Sequence, residues 1–274
     1  MIRETAPAKV NLVLQVGPRR DDGLHELCSL FASLELADDL TVEPAEADEV
    51  VCPGVSGPNL ADAALTAFRG AADLPPLRIT IGKRIPVAAG LGGGSADAAA
   101  VLRAANAIAG APLAAADLRA LGATIGADVP SQVEPRHALV TGAGEEVEPL
   151  DLPDMALVLV PAAEGLSTAA VYAEVDRIPS TRAKLDPAAL KALAAAPLAT
   201  LAHAMENDLE AAALSLRPEL ARTLARLEEA GALAARISGS GPTAFGVFAT
   251  LAESETAAAE FDAPLVTRLR RPQP

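Results

Sequence analysis

Apolar and polar positions alternate near the start of the chain: Val10, Leu12, Leu14 and Val16 interleave with Lys9, Asn11, Val13 and Gln15. A period of two predicts a strand over residues 8–16, with one apolar face and a second face that carries Lys9 and Asn11 side by side. The run Arg19-Arg20-Asp21-Asp22-Gly23 predicts a turn. Further strands are expected over 27–36, 39–43 and 49–52. Behind Pro58-Asn59, the spacing of Leu60, Ala63, Ala64 and Phe68 predicts a helix to about residue 72. Leu77, Ile79 and Ile81 alternate with Arg78 and Thr80, another strand. A loop over 86–94 leads into a helix of small residues over about 95–108. A helix over 114–121, a turn over 126–130 and a hairpin around Gly142-Ala143-Gly144 follow.

A second unit opens near Asp151. Its pattern predicts a buried strand over 155–160 and helices over 167–175, 187–195, 201–216 and 218–230. Strands over 233–237 and 243–248 flank Ser238-Gly239-Ser240-Gly241-Pro242, and a short helix and a strand over 265–269 follow. Helices and strands mix without the strict alternation of a doubly wound parallel sheet. The expected architecture is α+β in two domains, 1–150 and 151–274.

Composition narrows the picture. Hydrophobic residues make up 51% of the 274 and aromatics only 2%, so the core is built from Ala, Leu, Val and Ile, and the place of the single Tyr becomes informative. A net charge of −14 argues against a nucleic-acid surface and against docking on anionic lipid. It leaves room for an anionic small molecule, held by a lysine, backbone N–H groups and a bound cation. Cys28 and Cys52 form no C-x-x-C pair and read as free thiols of a reducing compartment. The first residues hold no long apolar stretch, and the longest run, 155–163, falls well short of the ~20 residues that span a bilayer. The expectation is a cytoplasmic protein without a signal peptide.

The densest chemical signal is Pro86-Val87-Ala88-Ala89-Gly90-Leu91-Gly92-Gly93-Gly94-Ser95-Ala96, between a strand and a helix. Glycines let backbone approach a ligand closely, and a helix start adds unpaired N–H groups and a positive dipole end, so the segment suits phosphate. Ser95 is placed to cap the helix or to offer its hydroxyl to phosphate or Mg²⁺. No Lys follows the glycines as in G-x-x-x-x-G-K-[ST], and counting from Gly90 puts Ser95 where G-x-G-x-x-G requires its last glycine. A dinucleotide oxidoreductase therefore fits poorly. Taken singly, Lys9 is an ordinary strand lysine and Asp128 an ordinary turn or cap residue.

Four segments in order change that weighing: P-A-K-V-N-L at 7–12, P-V-A-A-G-L-G-G-G-S-A-D at 86–97, G-A-D-V-P at 126–130 and S-G-S-G-P-T at 238–243. Together they resemble the kinase family named for galactose, homoserine, mevalonate and phosphomevalonate. P-A-K-V-N-L, D-D-G-L-H at 21–25, the triple glycine and G-A-D-V-P are most similar to the branch whose acceptor is a cytidine diphosphate-linked methylerythritol. The resemblance spans essentially the whole chain, weakest over 176–200. It implies two α+β domains with the site in the cleft between them. It also implies transfer of the ATP γ-phosphoryl group to the 2-hydroxyl of methylerythritol, with Mg²⁺ on the nucleotide, in the non-mevalonate route to isoprenoids.

By the same resemblance Asp128 is the catalytic base and Lys9 its charged neighbour. The segment 86–96 holds the ATP phosphates, and 238–242 closes on the site from the second domain. Asn11, His25, Thr168 and Tyr172 fall where that branch contacts its cytidine substrate. The chain departs from the pattern at Leu24, where the branch usually has Tyr, and at Ser131, commonly apolar or aromatic. His137 and His203 read as structural, and Asn207-Asp208 caps a helix or lines the cleft. Two alternatives stand beside this reading: another small-alcohol kinase of the family, of mevalonate or homoserine type, and a non-catalytic nucleotide-binding regulator. No dedicated carboxylate cage for a metal is visible.

Overall fold

In the computed structural model, which describes residues 1–55, 57–178 and 181–271, the chain begins with two long antiparallel strands, β1 (Ile2–Arg19) and β2 (His25–Pro44). There follow β3 (Glu49–Val51), α1 (Leu60–Ala71), β4 (Leu77–Gly82), α2 (Gly93–Ile108), α3 (Ala115–Ala123), α4 (Val129–Val133), β5 (Ala138–Thr141) and β6 (Glu146–Pro149). The strands form one sheet of order β3-β4-β2-β5-β6, with β1 on β2. The rest of the chain supplies β7 (Ala156–Val160), α5 (Thr168–Arg177), α6 (Pro187–Ala194), α7 (Leu198–His203), α8 (Glu210–Leu216) and α9 (Leu220–Glu229). β8 (Ala234–Ile237), β9 (Ala244–Phe248), α10 (Leu251–Ala258) and β10 (Leu265–Arg268) follow. Its antiparallel sheet has the order β10-β7-β9-β8. No helix among the described residues is long and apolar enough to cross a membrane.

Three elements differ from the sequence expectation. The strand alternation of β1 is re-phased by a register shift between Asn11 and Val13. Val13 stays in the main core with Val10 and Leu12, while Leu14 and Val16 turn to pack with Val171, Val175 and Leu209. Lys9, Asn11 and Leu14 therefore share one wall of the cleft, and β1 is buried on both faces. The two strands expected over 27–36 and 39–43 are one strand, β2. Asp38, in the gap between the two, is fully buried, and its carboxylate accepts the backbone N–H groups of Arg84 and Ile85 and the ammonium of Lys83. The helix expected over 201–216 is broken into α7 and α8. Residues between them turn back onto β1, where Leu14 donates its N–H to Glu206 and accepts one from Asp208. A short helix, α4, also follows the turn at 126–128.

The small residues of α2 let it lie close to its neighbours. Ala96, Ala98, Ala99, Ala100, Ala104 and Ala105 are all buried, against α1 and the first sheet. A second core joins the halves, with Leu12 and Leu30 of the first sheet packed in one cluster with Leu157 and Phe245 of the second. That shared core fixes the two walls of the cleft.

Candidate active site

A cleft of about 930 Å³ runs between the walls, lined by β1, the glycine loop, residues 127–128, α5 and residues 239–240. The glycine loop is pinned on both sides. Lys9 donates its N–H to the Leu91 carbonyl at 3.0 Å, and the Ser238 hydroxyl donates to the Gly90 carbonyl at 2.9 Å. Gly90 has φ 76°, and a Cβ there would lie 2.6 Å from the Ser238 carbonyl oxygen. Gly92 has φ 70°, and its Cβ would lie 2.9 Å from Cγ of Lys9. These two glycines are thus demanded by the protein's own packing. Ser95 does not cap α2. Its N-cap is Gly92 in the left-handed conformation, with no side-chain hydrogen bond, so the first-turn N–H groups stay open toward the cleft.

Beside that helix start, Lys9 is 5% exposed. Its Nζ lies 2.8 Å from Asn11 Oδ1, 3.2 Å from Asp128 Oδ2 and 4.7 Å from the centroid of Phe31. Asn11 in turn donates Nδ2 to Ser29 Oγ at 2.9 Å, and Ser29 donates to the Val13 carbonyl. A chain of hydrogen bonds therefore orients the ammonium from behind. The Asp128 side chain is 33% exposed, so its carboxylate is open to the cleft. It stands at the head of α4 without capping it, and the Ser131 hydroxyl bonds back to the Asp128 carbonyl.

The second half meets this pair through residues 238–243. A Cβ on Gly239 would lie 3.2 Å from Asn11 Oδ1 and 3.6 Å from Lys9 Nζ. Asn207, unassigned from the sequence, donates Nδ2 to the carbonyls of Ile237 and Gly239 and so holds the loop there. Thr168 bonds to Ser240, hydroxyl to hydroxyl, at 2.9 Å.

The structure brings Thr168, Tyr172 and His25 into the same cleft, with Leu24 also lining it, 53% exposed. His25 is buried and stacks on Tyr172, ring centroids 5.5 Å apart. Burial and the charge of Asp128 push the Tyr172 phenol up to about 12. Asn11 lies near Lys9 rather than in this group, with both ends of its amide engaged by protein.

Sequence reasoning missed a cluster beside the start of α2. Lys83 lies between Asp38 and Asp97, bonded to both, and Lys83 and Asp97 line the cleft. Burial lowers the Lys83 ammonium, but its bonds to the two carboxylates outweigh that and raise it. Burial lifts the Asp97 carboxyl to about 6, although Lys83 pulls the other way. Asp97 stood inside the quoted glycine motif. Nothing in the local pattern joins it to Lys83 or Asp38, which come from other segments.

The GHMP kinases N terminal domain matches residues 59–134 and the GHMP kinases C terminal domain matches residues 189–267. The 4-diphosphocytidyl-2-C-methyl-D-erythritol kinase of Salinispora tropica is 41% identical, over 98% of this chain and 90% of its own length. A crystal structure of 4-(cytidine 5'-diphospho)-2C-methyl-D-erythritol kinase superposes with a TM-score of 0.82 at 37% identity, covering 98% of this chain and 99% of that one. Homoserine kinase from Cytophaga hutchinsonii, at 18% identity and a TM-score of 0.71 over 98% of this chain and 94% of its own, shares the fold.

Proposed function

The chain belongs to the GHMP kinases and, within them, to the 4-diphosphocytidyl-2-C-methyl-D-erythritol kinases, and from that premise we propose how its cleft performs the phosphoryl transfer. The γ-phosphoryl group of ATP passes to the 2-hydroxyl of 4-diphosphocytidyl-2-C-methyl-D-erythritol, a step in non-mevalonate isoprenoid precursor synthesis. The observation that carries the reading is the Lys9–Asp128 pair, 3.2 Å apart between the open start of α2 and the His25–Tyr172 end. The segment 86–96 and the first turn of α2 hold the ATP phosphates. Asp128 accepts the proton of the attacking hydroxyl, and Lys9 meets charge on the transferring phosphoryl group. Most of the catalysis in such a transfer is positioning and charge stabilisation. Asn11, His25, Thr168 and Tyr172 receive the cytidine substrate.

Among the described residues no three His, Cys, Asp or Glu side chains cluster to hold a metal ion. Mg²⁺ would be carried on the nucleotide phosphates, with the Ser95 hydroxyl at the α2 start, which lines the cleft, available to it. The ion would neutralise phosphate charge. Residues 1–150 form the ATP-binding domain and 151–274 the domain that completes the substrate cleft, in a cytoplasmic enzyme with no nucleic-acid or membrane partner. Phosphorus NMR of the product tests the reading. A new phosphomonoester on the 2-hydroxyl, with the diphosphate bridge intact, is expected; phosphate on another hydroxyl contradicts it.

A further inference from the structure

Thr168, Tyr172 and Asp176 stand four residues apart on α5, so one stripe of that helix faces the cleft. The third member has no part in the reading so far. Its Oδ1 lies 3.0 Å from Nε2 of His25, on the opposite wall. The other ring nitrogen of His25, Nδ1, lies 3.1 Å from the Gly17 carbonyl oxygen. Each ring nitrogen thus faces an oxygen acceptor, so the nitrogen that carries the proton donates to protein, and the ring cannot turn without losing that bond. Its face lies against Tyr172, with the ring planes 29° apart. Asp176 to His25, His25 to Tyr172, and Tyr172 back to Asp176 through one turn of α5 make a closed circuit of contacts.

Stability alone does not account for this carboxylate. Its side chain is 44% exposed, and a polar contact that wet contributes little to folding. α5 is already anchored by Val171 and Val175, both fully buried. What Asp176 does hold is the buried His25, at the place where the substrate's base is received.

We propose that Asp176 is a positioning residue for that base: it locks the His25 ring, and through it the Tyr172 platform, before substrate arrives. Ordering done in the free enzyme is not charged against binding. The inference rests on the cytidine reading of this end of the cleft.

Steady-state kinetics of four variants test it. Asp176→Ala should raise the KM for the cytidine substrate by about tenfold, the range for a hydrogen bond to a charged group. Most of the loss should fall on that KM, with little on kcat or on the KM for ATP. Asp176→Asn, whose amide oxygen can still accept from Nε2, should recover most of it. In a His25→Ala background, adding Asp176→Ala should change KM by less than about twofold, because the partner it positions is gone. An unmoved KM in Asp176→Ala, an equal loss in the KM for ATP, or penalties of the two changes that multiply in full each overturn the inference alone. A wild-type enzyme that prefers another alcohol overturns the reading of the cleft, and this inference with it.

Discussion

Leu24 and Tyr172 decide how a flat base is gripped at the substrate end. Tyr172 is the sole tyrosine of the chain, and one face of its ring already rests on His25. Leu24, exposed, offers apolar cover and no stacking ring. An aromatic face under a base is worth about 1–3 kcal/mol, so Tyr172→Ala should raise the KM for the cytidine substrate by roughly 5- to 150-fold. Leu24→Tyr should lower it, and neither change should move the KM for ATP. Indifference to Tyr172→Ala would assign the ring to packing with Leu14 and Val171 instead. At this scale, residues inside ordered motifs were legible: Lys9, Asn11, the glycine loop and Asp128 were all named from sequence, and the structure gathers them in one cleft. Asp38, Lys83 and Asp176 were not. Each is a charge whose partner comes from another segment of the chain, so no local spacing marks it.

Most elements were legible from periodicity, and the failures have physical causes. Alternation along β1 was read through to Val16, but one bulge exchanges the faces beyond Asn11. The strands read over 27–36 and 39–43 join through Asp38, a buried charge that is costly unless paired, and its pairing with Lys83 is a tertiary fact. The helix expected over 201–216 breaks where Asn207 is drawn to the carbonyls of Ile237 and Gly239. Within α2, Asp97 gives the element a pH dependence. Its carboxyl rises to about 6, through burial first, against about 3.9 in an unfolded chain. An acid raised on folding adds stability below the unfolded value and loses it as pH climbs through the folded one. The loss from this group therefore falls between about pH 4 and pH 6, and two units correspond to roughly 3 kcal/mol as an upper bound. Asp97→Asn keeps an acceptor for Lys83 and removes the titration. Urea denaturation of both proteins should show the difference in stability moving in the variant's favour by about 1–3 kcal/mol between pH 4 and pH 8. A constant difference across that range would contradict it.

Across the whole molecule, two sheets share a core, and that core sets the cleft. Leu12 and Leu30 of the first sheet and Leu157 and Phe245 of the second lie in one apolar cluster. The loop before β9 sits directly on the glycine loop. The α+β class and the order of segments could be read from the sequence because the glycine motif, G-A-D-V-P and S-G-S-G-P-T each sit at a strand or helix end, while P-A-K-V-N-L carries the alternation of β1 itself. The packing of one half against the other could not, since it depends on residues more than a hundred positions apart. The account's central claim is that this cleft joins ATP to one particular alcohol with Asp128 as base. The most direct measurement is coupled ADP release by wild type and Asp128→Asn, with 4-diphosphocytidyl-2-C-methyl-D-erythritol, 2-C-methyl-D-erythritol phosphate, mevalonate and homoserine as acceptors. Turnover of the cytidine compound far above the other three is expected. For the variant, a loss of about 100-fold or more in kcat is expected, with the KM for ATP nearly unchanged. Preference for any of the other alcohols, or near-normal turnover without the carboxylate, would contradict it.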